Sequence, residues 1–161
     1  MKRTFFPIVI IFSMLFCLNG CNDDSDLKYE DTGKGTFTIE QEQFDINHAT
    51  YEFDAEDSTI SMTIDNGLMM TYLEEDYVAL KIICKGSEFP ADTVEISTDG
   101  DYQFEWFQDK KIVAGTRGKL FVQKSGADSY RVRIFDAQII TWSFSYADCS
   151  LQYEGRIPVQ E

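Results

Sequence analysis

The chain has 161 residues with a formal charge of −14, 43% apolar and 14% aromatic residues, and a single histidine. That length suits one domain once any leader is set aside, and an acidic surface repels phosphate backbones, which excludes nucleic acid as an expected partner. One histidine leaves no multi-histidine metal centre and allows Ser-His-Asp chemistry only through His48.

The amino terminus sets Lys2 and Arg3 before an apolar run from Phe5 to Leu18, which ends at Asn19-Gly20-Cys21. This is the plan of a signal peptide. The run is shorter than the ~20 apolar residues a spanning helix needs, and it gives way to Asn22-Asp23-Asp24-Ser25-Asp26. Leu18-Asn19-Gly20-Cys21 resembles the lipobox of bacterial lipoproteins, with Asn19 in place of the usual Ala, Ser or Thr. The resemblance implies cleavage after Gly20, a thioether-linked diacylglyceryl group on Cys21 and a further acyl chain, typically palmitate, on its amine. Several chains would anchor the protein firmly to a membrane, since a single chain binds only reversibly.

The expected division is therefore a cleaved signal at 1–20, an acidic flexible tether at 21–32 and one domain at 33–161. Removing twenty residues from 161 leaves 141, and with Lys2 and Arg3 gone the charge moves from −14 to −16. The tract after Cys21 is similar to the acidic tract that places many Bacteroidetes-type lipoproteins on the outer face of the outer membrane. Surface exposure is thus expected, with a periplasm-facing anchor as the alternative. The same stretch also suits a solvated tether.

From Gly33 onward apolar and polar residues alternate with period two, punctuated by Gly, Asp, Asn and Ser clusters. Phe37 and Ile39 pair with Phe44 and Ile46 across a Gln41-Glu42 turn as a first hairpin. Ala49, Tyr51 and Phe53 then shift parity, predicting a bend at Asn47-His48. Ile60, Met62 and Ile64 make a strand ended by Asp65-Asn66-Gly67; residues 68–73 lack clean alternation; Tyr77 to Cys84 reads as a buried strand. Asp99-Gly100 predicts a hairpin between Val94-Ile96 and Tyr102-Phe104-Trp106. Lys124 to Asp128 turns Leu120-Val122 into Tyr130-Val132-Ile134, and Ile140, Trp142, Phe144 and Tyr146 read as a strand before the last, through Leu151, Tyr153 and Ile157. Nine or ten strands without helical periodicity predict an antiparallel all-β sandwich, with a lipocalin-like barrel as the alternative.

Gly35-Thr36-Phe37-Thr38-Ile39, the run from Gly118 to Gly126 leading into Tyr130-Arg131-Val132, and Tyr153-Glu154-Gly155-Arg156-Ile157-Pro158 resemble small all-β surface lipoproteins of Bacteroidetes. The resemblance covers most of Gly33 to Pro158 and implies the fold and the address. These are strand and turn features, so it carries no functional residue across.

Candidate sites are few. Cys84 and Cys149 could form a disulfide in an exported protein or remain buried thiols. Asp54-Ala55-Glu56-Asp57 offers oxygen ligands but lacks the ordered spacing of a calcium loop, and Glu74-Glu75-Asp76 reads equally as a solvated turn. No metal, cofactor or enzymatic motif is expected. A hydrolase working through two carboxylates is the less favoured enzymatic alternative. Trp106 and Trp142 are candidate stacking rings for a glycan, against packing in the core; two successive rings, Trp106-Phe107, must face opposite sides of a strand. The expected function is a non-enzymatic, lipid-anchored protein binding a glycan or an envelope protein. The alternative is a structural, assembly or inhibitory lipoprotein acting through protein contacts.

Overall fold

The computed structural model describes residues 29–68, 77–108, 111–141 and 143–160; the lipobox, Cys21, Trp142 and Glu74-Glu75-Asp76 lie outside them. Among the described residues ten antiparallel strands are present: β1 Gly33–Ile39, β2 Glu42–Ile46, β3 His48–Asp54, β4 Thr59–Asp65, β5 Val78–Lys85, β6 Val94–Ser97, β7 Tyr102–Gln108, β8 Lys111–Lys124, β9 Ser129–Ile140 and β10 Tyr146–Arg156. The all-β expectation is met.

Strand order is β2-β1-β10-β9-β8-β7-β5-β4-β3, with β6 beside β8. β8 belongs to two walls. Its first residues, Lys111 to Ala114, pair with β7, and from Gly115 onward it pairs with β9 through two register shifts. Gly115 is required at this bend, because a Cβ there would enter the Phe104 ring. The walls face each other across one core, as in a sandwich, yet the strand path is continuous and its ends approach, as in a barrel.

Closure comes from the chain termini of the domain. Thr32 and Gly33 donate their N–H groups to the Asn47 carbonyl at 2.8 and 3.0 Å, and Ala49 N–H donates to Thr32 Oγ1 at 2.8 Å. The tail after β10 covers the free edge of β3: Tyr51 N–H donates to Pro158 O at 2.9 Å and Gln160 N–H to Tyr51 O at 2.7 Å. Unpaired edge groups are a liability, and this tail satisfies two of them, the N–H and the carbonyl of Tyr51.

Alternation selects the core. Phe37, Ile46, Met62, Ile64, Leu80, Ile82, Phe104, Leu120, Val132, Ile134, Leu151 and Tyr153 all point inward and are buried. Ile46 and Ala49 are both buried although three residues apart, so the parity shift predicted around Asn47-His48 is real: Asn47 leaves strand geometry between β2 and β3.

Two strand expectations are corrected. Asp99-Gly100 does not close a hairpin ladder: β6 pairs with β8 and β7 with β5 and β8, so the turn is a corner by which the chain crosses between walls. The described residues between Ile140 and Tyr146 are not a strand. β9 ends at Ile140 and β10 starts at Tyr146; Thr141 N–H donates to Ser145 O at 2.8 Å and Phe144 N–H to Thr141 O at 2.9 Å. The hydroxyls of Thr141, Ser143 and Ser145 bond to one another at 2.8 to 2.9 Å. Local side-chain bonding of this kind competes with a strand ladder, and Phe144, at positive φ, stands 90% exposed at the tip.

Candidate functional site: an aromatic cleft

After β5 the chain turns outward at Gly86, whose φ of 124° suits glycine, and runs through Ser87-Glu88-Phe89-Pro90 before β6. This segment crosses the side where the two walls meet. Within it Pro90 is buried, and Phe89 stands between Tyr51 of β3 and Tyr130 of β9. Its ring meets Tyr51 edge-on at 5.5 Å and 71°, and Tyr130 at 5.4 Å and 72°. All three rings are half-buried and rest on the core.

Around them lies a cleft of about 570 Å³, with Phe121, Gln123, Lys124 and Glu88 on its walls. This volume is in the range of small-ligand sites. The Lys124 ammonium sits 5.8 Å from the Tyr130 ring centre, close enough for a cation–π contact. Tyr51 is held from behind by its backbone bonds to the tail, so the ring is placed by main chain on both sides. Fixed ring faces with a fringe of amide, carboxylate and ammonium can stack on the C–H surface of a sugar and hydrogen-bond its hydroxyls.

Trp106 is no part of this cleft. It is 2% exposed and packs on Phe37 at 4.3 Å and on Phe44 at 5.0 Å, so the expectation of a stacking platform at Trp106 is corrected: the inward parity of β7 puts the ring in the core. Its neighbour Phe107, of opposite parity, is half-buried against Tyr77 at 5.6 Å. Cys84 and Cys149 are buried free thiols rather than a disulfide, and burial pushes both up to about 12, which keeps them protonated and unreactive.

His48, the first residue of β3, serves a structural knot. Its Nδ1 lies 3.1 and 3.2 Å from the two Asp65 carboxylate oxygens. Gly67 N–H donates to Asp65 Oδ1 at 2.7 Å, and the Tyr77 hydroxyl to Asp65 Oδ2 at 3.4 Å. Burial and the Asp65 charge raise the Tyr77 pKa, keeping that hydroxyl a donor. Tyr29 stacks on the His48 ring at 4.8 Å and 15°. These contacts join Tyr29, ahead of β1, to the β2–β3 and β4–β5 corners. Asp54 caps its own turn, accepting from Glu56 N–H at 2.8 Å. Among the described residues no cluster of His, Cys, Asp or Glu is arranged to hold a metal ion.

Sequence reasoning assigned Tyr51 and Tyr130 to strands and passed over Phe89. The available signal was an aromatic followed by proline inside an otherwise polar connection. No family model, curated protein or solved structure matches this chain.

Proposed function

We propose that the chain is a lipid-anchored, non-enzymatic envelope protein, tethered through Cys21 to the outer membrane with its domain outward, that binds a glycan in the cleft of Tyr51, Phe89 and Tyr130. The observation carrying the binding reading is the set of three half-exposed rings fixed by two walls and a plugging loop. The address rests on Lys2-Arg3, the apolar run and Leu18-Asn19-Gly20-Cys21, as in the Bacteroidetes surface lipoproteins it resembles. On a glycan array the mature chain should hold a set of glycans that Phe89→Ala and Tyr130→Ala release while the circular dichroism stays native. In cells, Cys21→Ala should abolish fatty-acid labelling and membrane retention; undiminished labelling would remove the anchor.

A second reading, contact with an envelope protein, is favoured by the β9–β10 tip, where Phe144 is 90%, Tyr146 64% and Ile140 38% exposed. Exposed apolar groups gathered at one tip suit a protein partner. Crosslinking on intact cells through a probe at position 144 would capture that partner, and an absence of any adduct would count against it.

A further inference from the structure

We infer that the glycan is acidic, and that its charged units leave the cleft across the outer face of β1, β10, β9 and β8. This rests on the glycan reading above and adds the sign of the ligand and its path. Strand alternation puts Lys34, Thr36, Arg131, Arg133, Gln152 and Glu154 outward. Register aligns them in rows across the sheet, Thr36–Gln152–Arg133–Phe121 and Lys34–Glu154–Arg131–Gln123.

Two grooves lie on this face. One, of about 420 Å³, is lined by Lys34, Thr36, Arg131 and Arg133; the other, of about 370 Å³, runs between Phe121 and Phe135 and includes Arg133 and Gln152. Arg133 lines both grooves, and Phe121 lines both the second groove and the aromatic cleft. The three depressions therefore form one track. Along it the cations Lys34, Lys124, Arg131 and Arg133 face only Glu88 and Glu154, a local reversal of sign in a chain of charge −14.

Arg131 is engaged by Glu154 at 3.1 and 3.2 Å. Among the described residues, Lys34 and Arg133 have no carboxylate partner. A free guanidinium takes a carboxylate or a sulfate through two parallel hydrogen bonds, and the flanking rings of Phe121 and Phe135 offer apolar surface to the sugar between charges. An extended acidic peptide fits less well. β9 and β10, which carry Arg131, Arg133 and Gln152, are paired on both sides along this face, so no strand can be added beside the arginines, and a ligand there must be read by side chains. The protein's overall charge opposes a dense polyanion, but it is screened beyond ~8 to 10 Å, and a glycan carries its charges more sparsely than a nucleic acid.

The test is equilibrium binding of the mature lipidated chain, in detergent, to polygalacturonate, chondroitin sulfate, neutral dextran and polyglutamate, with Arg133→Gln and Phe89→Ala alongside. Arg133 is exposed, so its variant should fold. One or both acidic glycans should bind more tightly than dextran, and the pair distinguishes carboxylate from sulfate. Arg133→Gln should weaken that binding about tenfold or more, as loss of a charge-assisted pair predicts, and leave dextran unaffected. Acidic glycans binding no better than dextran, an unchanged Arg133→Gln, or polyglutamate binding equally well would each overturn the inference. Dextran binding that Phe89→Ala abolishes, without preference for acid, would leave the cleft reading standing and remove this one; binding of no glycan would remove both.

Discussion

Replacing Trp106 with Ala separates a core ring from a ligand platform. The indole is 2% exposed, touches the Phe37 and Phe44 rings, and donates from Nε1 to Gln108 Oε1 at 3.3 Å. Burying ~150 to 250 Å² of such a ring at ~25 cal/mol per Å² is worth about 4 to 6 kcal/mol as an upper estimate, and measured Trp-to-Ala changes in cores cost ~3 to 5 kcal/mol. We expect a loss of about 4 kcal/mol, a large share of the ~5 to 15 kcal/mol that holds a domain folded. Trp106→Phe, which keeps one ring, should lose ~1 to 2 kcal/mol. The assay is equilibrium unfolding in urea followed by far-ultraviolet circular dichroism, since the substitution removes a fluorophore. A loss below ~1 kcal/mol with an unchanged denaturant slope, combined with lost glycan binding, would refute the core assignment.

Asp65→Ala should destabilise the domain by ~3 kcal/mol, because it strips acceptors from His48, Gly67 N–H and Tyr77 at a buried site; a melting temperature within experimental error of the parent would contradict this. Gly115→Ala should cost ~1 to 3 kcal/mol through its clash with Phe104, whereas Gly126→Ala, in a turn at ordinary φ with only Ser129 near, should be close to neutral; equal unfolding midpoints for the two would contradict the bend. Cys84 and Cys149 titrate near 12 when folded and near 9.0 when unfolded. The unfolded chain can thus release protons that the folded one retains, and stability held below pH 9 should fall progressively as pH rises toward 12. Unfolding midpoints at pH 8 and pH 10.5 measure this, and peptide mapping should find both thiols labelled only in denaturant.

Much of the fold was legible where local and global signals agree. The β1–β2 hairpin, the end of β4 at Asp65, buried β5 and the Lys124–Asp128 turn all follow from period-two alternation interrupted by turn residues. Errors fell where a local pattern served a longer-range purpose. Asp99-Gly100 carries a strong hairpin signal, yet the chain uses it to change walls. Ile140, Trp142, Phe144 and Tyr146 alternate like a strand, but hydroxyls at 141, 143 and 145 bond to each other and close a turn instead. Period alone cannot say which partner a strand will find.

The candidate site was less legible for a similar reason. Tyr51, Phe89 and Tyr130 lie far apart in sequence and meet only because β3, β9 and the β5–β6 connection converge at the seam between walls. Aromatic content drew attention to the tryptophans, of which Trp106 fills the core. The surplus of rings was real, but the half-buried ones that meet at the seam were Tyr51 and Tyr130, in strands, and Phe89, in a loop.

The most direct measurement is equilibrium binding of one array-selected glycan to the parent chain and to Phe89→Ala side by side. Loss of a central ring contact of ~1 to 2 kcal/mol should weaken binding about tenfold while the circular dichroism spectrum is unchanged. Equal affinity in a natively folded variant, or an array on which nothing is held, would contradict the aromatic cleft as the ligand site.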